Sequence, residues 1–384
     1  MNHSIYRLFI IFYLIFLSNF AFSAPVISSV SSNAADEYNI VISGSSFGTN
    51  PLSIEWLGGL NGNIEQGTVG TAFSKGNWTK DPTSDSRQTP IYTNEKSHSG
   101  AKSIKSYWPV QSQYTSAFTY DTGKNIGTLY MTFWVYFEHV DSAGQWKIFR
   151  IRPDSNYGDR DGEYYFNEWY NSDHTISQGG HSLFCKYDGY AQCYPNSDDS
   201  LRWPASYVNN NKWIRLEVYG KESSGDNVRD ADFDFKKHDQ TSAPISLLTN
   251  GPWIGNIKTR VDAGEDRWRY IVFENYWGNI SAGSGTGEKA YFDDIYIQVG
   301  TKARVEIGNN PIFTSCTHRE IQFPTAWSDS SIAITFNKGS FVENDTVYLF
   351  VADANGNVNS QGYPVTIQKA VAPPSPPKGL RITN

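Results

Sequence analysis

Hydrophobic and polar positions alternate with a period of two along much of this chain, which is the pattern of half-buried β-strands. Clear examples are Tyr38–Ser43, Thr132–Phe137, Trp213–Tyr219 and Trp268–Tyr276. No long stretch carries the 3.6-residue spacing of an amphipathic helix. The sequence therefore predicts an all-β protein.

The same alternation assigns faces to the predicted strands. In Trp213–Tyr219, Ile214, Leu216 and Val218 share the face expected to pack inward. The opposite faces of three strands mix aromatic with charged residues, and they carry Trp134, Tyr136, Trp213, Arg215, Glu217, Tyr219, Trp268, Tyr270, Glu274 and Tyr276. Aromatic rings stack on sugar rings and charged groups bind hydroxyls or uronate carboxylates, so this set predicts a carbohydrate-binding groove. The alternative is that these residues pack internally, with their charged neighbours at a rim.

Two distant segments share the features of one small module. Pro25–Asn50 contains a strand followed by the turn sequence GSSFG, and Ala326–Ile367 contains alternating strands with a tight Asn-Gly turn. They resemble the opening and closing strands of an IPT/TIG immunoglobulin-like module. The resemblance implies one small β-sandwich of about 100 residues, formed by residues 24–57 and 301–368. Three separate domains in a row would leave residues 24–57 too short to bury a core.

The stretch between these segments, residues 58–300, has the length of one large β-sandwich. Four parts of it, Gly62–Phe73, Tyr130–Glu138, Asn211–Lys221 and Glu288–Gln298, resemble strands of the concanavalin A-like jelly roll found in legume-lectin, laminin-G-like and polysaccharide-lyase domains. The expected fold is therefore all-β, with a large jelly-roll sandwich inserted in a small immunoglobulin-like one. A resemblance at this level implies architecture rather than chemistry.

The two ends of the chain differ in composition from the rest, and the first end predicts the location of the protein. Residues 1–23 have the features of a secretory signal peptide, with Arg7, the apolar stretch Leu8–Leu17 and the small residues of Ala21–Ser23. We expect a secreted, extracellular or cell-surface protein, with the periplasm as an alternative. No later segment is apolar enough to span a membrane. Residues 369–384 are rich in proline, so we expect an extended, semi-rigid linker or a free C-terminal tail.

Charge and cysteine content limit the classes of partner. A net charge of −7 argues against a nucleic-acid partner, which would favour a basic face. Cys185 and Cys193 flank a turn, so their spacing suits a local disulfide in an exported protein. Cys316 remains as a buried or unpaired thiol. His318 would share a strand face with Cys316, but a site there would need a third group. The oligomeric state is not readable from the sequence.

No cofactor is certain from the sequence. The loop Val261–Asp266 is rich in oxygen ligands and fits a structural calcium ion, while an ordinary acidic turn is the alternative. Its acidic residues are Asp262, Glu265 and Asp266. Asp293 and Asp294 are adjacent, so a regular strand would point them to opposite faces and keep them from sharing an ion.

The candidate chemistry favours binding over catalysis. Retaining jelly-roll glycosidases need two carboxylates close together, and no strand here offers that spacing. A polysaccharide lyase needs a base and a group that neutralises the uronate carboxylate. Residues of suitable type are His181, Tyr219, Arg215, Lys147 and Arg150. We expect a carbohydrate-binding protein that holds a polysaccharide in the jelly-roll groove. The alternatives are a lyase acting on a uronate-containing polymer and a non-catalytic structural or adhesion module, so the sequence leaves open whether the protein is an enzyme.

Overall fold

The computed structural model describes residues 23–31, 34–59, 64–80, 89–107, 116–138, 144–153, 163–170, 176–186, 200–203, 211–246, 258–259, 267–278 and 289–369. The apolar stretch Leu8–Leu17, Cys193 and the loop Val261–Asp266 lie outside these residues. Within them no helix is long and apolar enough to cross a membrane.

The strands of the described residues are numbered in chain order. They are β1 (Val26–Val30), β2 (Asn39–Ser45), β3 (Ile54–Leu57), β4 (Trp78–Lys80), β5 (Ile91–Thr93), β6 (Ser103–Tyr107), β7 (Ser116–Ile126), β8 (Thr128–Glu138), β9 (Gly144–Arg152), β10 (Glu163–Tyr170), β11 (Ile176–Lys186), β12 (Ser200–Trp203), β13 (Trp213–Lys221), β14 (Asp232–His238), β15 (Ile245–Ser246), β16 (Trp268–Gly278), β17 (Lys289–Val299), β18 (Arg304–Gly308), β19 (Arg319–Ile321), β20 (Phe323–Trp327), β21 (Ser331–Thr335), β22 (Thr346–Ala352) and β23 (Tyr363–Thr366). A short 3₁₀ turn at Phe313–Ser315 is the helical element among them.

Strands from both ends of the chain form a small sandwich. One sheet has the order β1-β2-β21-β20, and the other has the order β19-β18-β22-β23. Strand β2 pairs antiparallel with β21, so that Ile42 lies opposite Ile332. The core between the sheets combines residues from both ends of the chain, including Ile40, Ile42, Phe47, Val347, Leu349 and Val351. The N-terminal segment therefore supplies part of a core that the C-terminal segment completes.

The intervening residues form a large sandwich of two sheets. The seven-stranded sheet has the order β12-β11-β10-β9-β16-β7-β4. The eight-stranded sheet has the order β15-β14-β13-β8-β17-β6-β5, and β3 also pairs with β17. Phenylalanines from both sheets meet between them; the Phe133 ring packs edge-on against Phe273 with centroids 5.0 Å apart. The predicted fold class is confirmed: the chain is all-β, with a large jelly-roll sandwich inserted in a small immunoglobulin-like one.

The predicted alternation of faces holds in the central strands. Ile214, Leu216 and Val218 of β13 lie in the core of the large sandwich, as do Phe133 and its inward neighbours in β8. Trp268 is an exception, because the register of β16 against β7 shifts between Trp268 and Tyr270. This irregularity places Trp268 in the core rather than on the outer face that we predicted for it.

Strand β3 lies at the boundary between the two sandwiches. Residues Ile54–Leu57 pair with Ile295–Gln298 of β17, and Leu57 belongs to the core of the large sandwich. The end of the predicted segment 24–57 is therefore built into the large sandwich. The chain then returns from β17 into β18, which brings the small sandwich against the eight-stranded sheet.

Candidate functional site

The outer face of the eight-stranded sheet carries most of the predicted groove residues, and the small sandwich covers it. Arg215 is 1% exposed, and its Nη1 donates a 2.7 Å hydrogen bond to Glu306 Oε2 of β18. Glu217 accepts a 3.3 Å hydrogen bond from Arg304 Nη2. Because these side chains pair with the small sandwich, they are not available to a polysaccharide. This corrects the prediction that Arg215 and Glu217 line an open groove.

The covered face holds a network of buried charges. Burial alone would raise the pKa of Glu306, but Arg215, Arg319 and Arg304 lower it to about 2. Burial also opposes ionisation of Glu217, whose pKa is nevertheless held well below its usual value by Arg304 and by a hydrogen bond from His238. Burial, together with the charge of Arg319, lowers the pKa of His238 to about 4. The two carboxylates are thus charged and His238 is neutral near pH 7.

The aromatic residues of this face pack with one another at the same junction. The indole Nε1 of Trp134 donates a 2.9 Å hydrogen bond to Glu320 Oε2, and its ring stacks on His98 at 3.8 Å. Trp213 lies edge-on to His98 at 5.7 Å and to Tyr136 at 5.6 Å. Trp134 is buried, whereas Trp213 and Tyr136 are half-buried. The structure therefore places these rings in a packed aromatic cluster rather than along an open groove.

Tyr219 lies at the end of the covered face, where a cleft opens between the sandwiches. The cleft has a volume of about 370 Å³ and is lined by Tyr219, Lys221 and Asn355 among others. The ammonium group of Lys302 lies 4.4 Å from the centre of the Tyr219 ring. That contact occupies one ring face of Tyr219; Arg269 lies in the same way 5.1 Å from the centre of the Tyr270 ring, so a cation occupies one ring face of each tyrosine.

The outer face of the seven-stranded sheet holds the remaining predicted residues. Arg150 and Arg152 of β9 lie in register with Val272 and Tyr270 of β16. Arg150 Nε donates a 2.6 Å hydrogen bond to Glu274 Oε1. This face is directed away from the core, but Arg150, Arg152 and Glu274 are only 2%, 2% and 1% exposed, and Tyr270 is half-buried. The small sandwich contacts the opposite, eight-stranded sheet through Glu306, Arg304 and Glu320.

Polar residues lie opposite one another in a row on four neighbouring strands of the same sheet. Lys147 pairs with Asn167 of β10 and with Tyr276 of β16, and Asn167 pairs with Ser182 of β11. His181 is one position away from this row, opposite Glu168. The row therefore joins four neighbouring strands at one level of the sheet.

The predicted lyase residues fall into two groups that cannot act together. Lys147, Arg150 and His181 belong to the seven-stranded sheet, whereas Arg215 and Tyr219 belong to β13 of the eight-stranded sheet. The hydrophobic core of the large sandwich separates the two groups, since facing sheets lie about 10 Å apart. A five-residue lyase site built from both groups is therefore wrong.

Asp293 and Asp294 also differ from the prediction. The register of β17 against β8 shifts after Asp293, and Asp294 has a φ of 44°. Both carboxylates therefore reach the same loop: Asp293 Oδ2 accepts from the backbone N–H of His98 at 2.7 Å, and Asp294 Oδ2 lies 2.8 Å from His98 Nδ1. Burial and the nearby charge of Asp294 raise the pKa of Asp293. A β-bulge brings to one place two side chains that a regular strand would separate.

The cysteines are partly described. Cys316 is a buried free thiol, as predicted, and its Sγ lies 3.3 Å from the carbonyl oxygen of Asn310. The pairing of Cys185 with Cys193 stays a prediction, because Cys193 lies outside the described residues. The calcium loop Val261–Asp266 stays a prediction for the same reason.

Sequence reasoning did not select several residues that the structure brings together at the junction. His98, Arg304 and Glu306 were not candidates, because their partners are distant in the chain. Glu320 had a readable signal, since it stands two positions after His318 and alternate residues of a strand share a face. Cys316 does not belong to the cluster that forms around His318, whose other members are described below.

Of the comparisons with known proteins, only the one with solved structures gave matches. No family model matches the chain, and neither does any curated protein. A cellulose-induced protein is 14% identical with a TM-score of 0.37, over 59% of this chain and 92% of that one. An alginate lyase from Chlorella virus is 12% identical with a TM-score of 0.38, over 61% of this chain and 100% of that one. Similarities this low assign neither an activity nor a ligand to this protein.

Proposed function

We propose that this protein binds an acidic polysaccharide along the outer face of the seven-stranded sheet. The observation that carries the proposal is the half-buried Tyr270 of β16 beside three cationic residues of β9, Lys147, Arg150 and Arg152. These cations are 8%, 2% and 2% exposed, so a polysaccharide would pair with them only after their present contacts open. Uronate carboxylates pair well with guanidinium and ammonium groups, and sugar rings stack on tyrosine. The face on the other side of the large sandwich is unsuitable, because the small sandwich covers it.

The proposal also covers where the protein is located and which module holds the large sandwich. We propose that residues 1–23 direct export, so that the protein meets polysaccharides outside the cell. We also propose that residues 24–57 and 301–368 form an IPT/TIG-type module that holds the large sandwich, with the exception of β3. The basis is the resemblance of the residues together with the pairing of β2 with β21.

Binding is tested with a panel of acidic and neutral polysaccharides, using isothermal titration calorimetry for each one that binds. Tyr270→Ala should weaken binding about 2–10-fold, since loss of an aromatic contact removes about 0.5–1.5 kcal/mol. Tyr107→Ala is the matched control, because Tyr107 is an exposed tyrosine of β6 in the other sheet. Equal affinities for the two variants, or no binding to any polysaccharide of the panel, would refute the proposal and favour a structural or adhesion module.

A second candidate function is β-elimination on a uronate polymer. It is favoured by the polar residues that lie opposite one another on neighbouring strands of the seven-stranded sheet. Lys147, Asn167 and Tyr276 occupy one level of three neighbouring strands. A lyase needs a cation or amide to neutralise the carboxylate and a base to remove the adjacent proton, and tyrosine can supply the base. The unsaturated product absorbs in the near ultraviolet. Turnover that disappears in Tyr276→Phe would establish the lyase, and absence of absorbance on every acidic polymer would leave binding alone.

A further inference from the structure

Three potential metal-binding side chains converge where the two sandwiches meet. His98 belongs to the loop between β5 and β6 of the large sandwich, while His318 and Glu320 belong to the small sandwich, just before and within β19. Their donor atoms all lie within 4.8 Å of one another. His98 Nε2 is 3.4 Å from Glu320 Oε1, and His318 Nε2 is 2.6 Å from the same oxygen. In the described part of the chain, this is the one such group of three.

The orientation of His98 leaves a ring nitrogen directed into the cluster. Its Nδ1 lies 2.8 Å from Asp294 Oδ2, a hydrogen bond in which the imidazole N–H donates to the carboxylate. Its Nε2 is buried and forms no hydrogen bond with any described residue, and the whole side chain is 2% exposed. With Nδ1 held by Asp294, Nε2 is the ring nitrogen placed to bind a metal ion. Histidines that bind metals are commonly oriented by a carboxylate on the other nitrogen.

The remaining two ligands are also held in place. Trp134 binds the second carboxylate oxygen of Glu320, which leaves Oε1 directed toward the histidines. The His318 ring stacks on Phe341 at 4.1 Å. Gly339 has a φ of 54°, and a Cβ at that position would lie 2.2 Å from Glu320 Cδ. The backbone at Gly339 thus permits the close approach that a larger residue would prevent.

We propose that His98, His318 and Glu320 bind one divalent transition-metal ion, zinc above all, which joins the large sandwich to the small one. Two imidazole nitrogens and one carboxylate oxygen are a ligand set that zinc uses, with a fourth position for water or another ligand. Ser340 Oγ lies 3.2 Å from His318 Nε2 and 3.3 Å from Glu320 Oε1, so it borders that fourth position. The His318 side chain is 13% exposed, which gives the ion a path from solvent. The oxygen-rich sets that calcium and magnesium prefer differ from this one.

Zinc binding is measured by calorimetry on the full-length, untagged protein after treatment with a chelator. We expect one zinc ion per chain and a higher unfolding temperature with zinc, because the ion binds the folded protein. His318→Gln and Glu320→Gln should each lower zinc affinity more than about hundredfold. Asp294→Asn, which changes a residue that orients His98, should lower it about 10–100-fold.

The matched control is His238→Gln, because His238 is a buried histidine of the same junction that lies outside the cluster. It should bind zinc as the wild type does. Unfolding in the presence of chelator shows whether each variant is folded, and His318→Gln carries the test if Glu320→Gln does not fold. Cobalt gives a second readout, since a four-coordinate cobalt ion absorbs visible light; that absorbance should be lost in His318→Gln. The absence of saturable micromolar zinc binding, or unchanged affinity in His318→Gln, would overturn the proposal.

Discussion

Arg215 Nη1 donates a 2.7 Å hydrogen bond to Glu306 Oε2, and both side chains are 1% exposed. Arg215 belongs to β13 of the large sandwich and Glu306 to β18 of the small one. A charged pair that a periodic pattern would place on an open face is therefore part of the contact between the two sandwiches.

Breaking this pair should destabilise the protein strongly. Glu306→Gln removes a buried charge opposite three arginines, so we expect the free energy of unfolding to fall by about 3–5 kcal/mol. Asp121→Asn is the control, because Asp121 pairs with Arg269 at a site where the two side chains are 33% and 37% exposed. That change should cost less than about 1 kcal/mol. Urea unfolding measures both values, and equal losses would contradict a dominant role for the junction.

Acid should weaken the fold in two steps. The pKa of His238 is about 4 in the folded state and about 6.5 when unfolded, so the unfolded chain binds more protons between these values. Stability contributed by neutral His238 should therefore decline by about 3 kcal/mol as the pH falls from 6.5 to 4. Glu306, with a pKa of about 2, should add a further loss below pH 4.5. Asp293 acts in the opposite direction, because its raised pKa makes protonation favour the folded state.

Thermal unfolding in the presence of a chelator, measured at several pH values, tests this prediction. His238→Gln should flatten the dependence between pH 6.5 and pH 4 while keeping the loss below pH 4.5. A slope in the upper interval that is the same in the wild type and the variant would assign it to other groups.

The core of the small sandwich should be sensitive to the N-terminal segment. Ile42 is fully buried opposite Ile332, so Ile42→Ala should cost about 2–5 kcal/mol. Val41 is the neighbouring residue of the same strand and is 41% exposed, so Val41→Ala should change stability by less than about 0.5 kcal/mol. Urea unfolding should separate the two variants clearly. Similar values would mean that β2 contributes little to this core.

The split sandwich predicts how fragments behave. Residues 301–369 alone lack Ile40, Ile42 and Phe47, so we expect no cooperative unfolding transition. Residues 24–53 joined to 301–369 by a short Gly/Ser linker should fold, since both sheets are then complete. Circular dichroism during heating distinguishes the two fragments. Cooperative unfolding of the C-terminal fragment by itself would show that the N-terminal strands are dispensable.

The local hydrophobic periodicity predicted the strands well, but it did not predict which side chains come together. The inward faces of β8 and β13 were correct, because alternation follows directly from the geometry of an extended backbone. The faces predicted for Trp268 and Asp294 were wrong, because β-bulges interrupt the alternation and cannot be recognised in the hydrophobic pattern. The sheet to which each strand belongs was likewise not readable from the period, so strands of two opposite sheets were combined into one groove.

The sequence by itself determined the all-β class, the insertion of one sandwich in another, and the inward faces of the regular strands. The class and the inward faces follow from hydrophobic spacing, whereas the insertion was implied by the resemblance of two distant segments to one module and by the length of the stretch between them. Only the tertiary structure decided that the charged face of β13 is covered, and that His98 meets His318 and Glu320. Such contacts depend on how two sandwiches dock, and docking joins residues whose distance in the chain carries no signal of their distance in space.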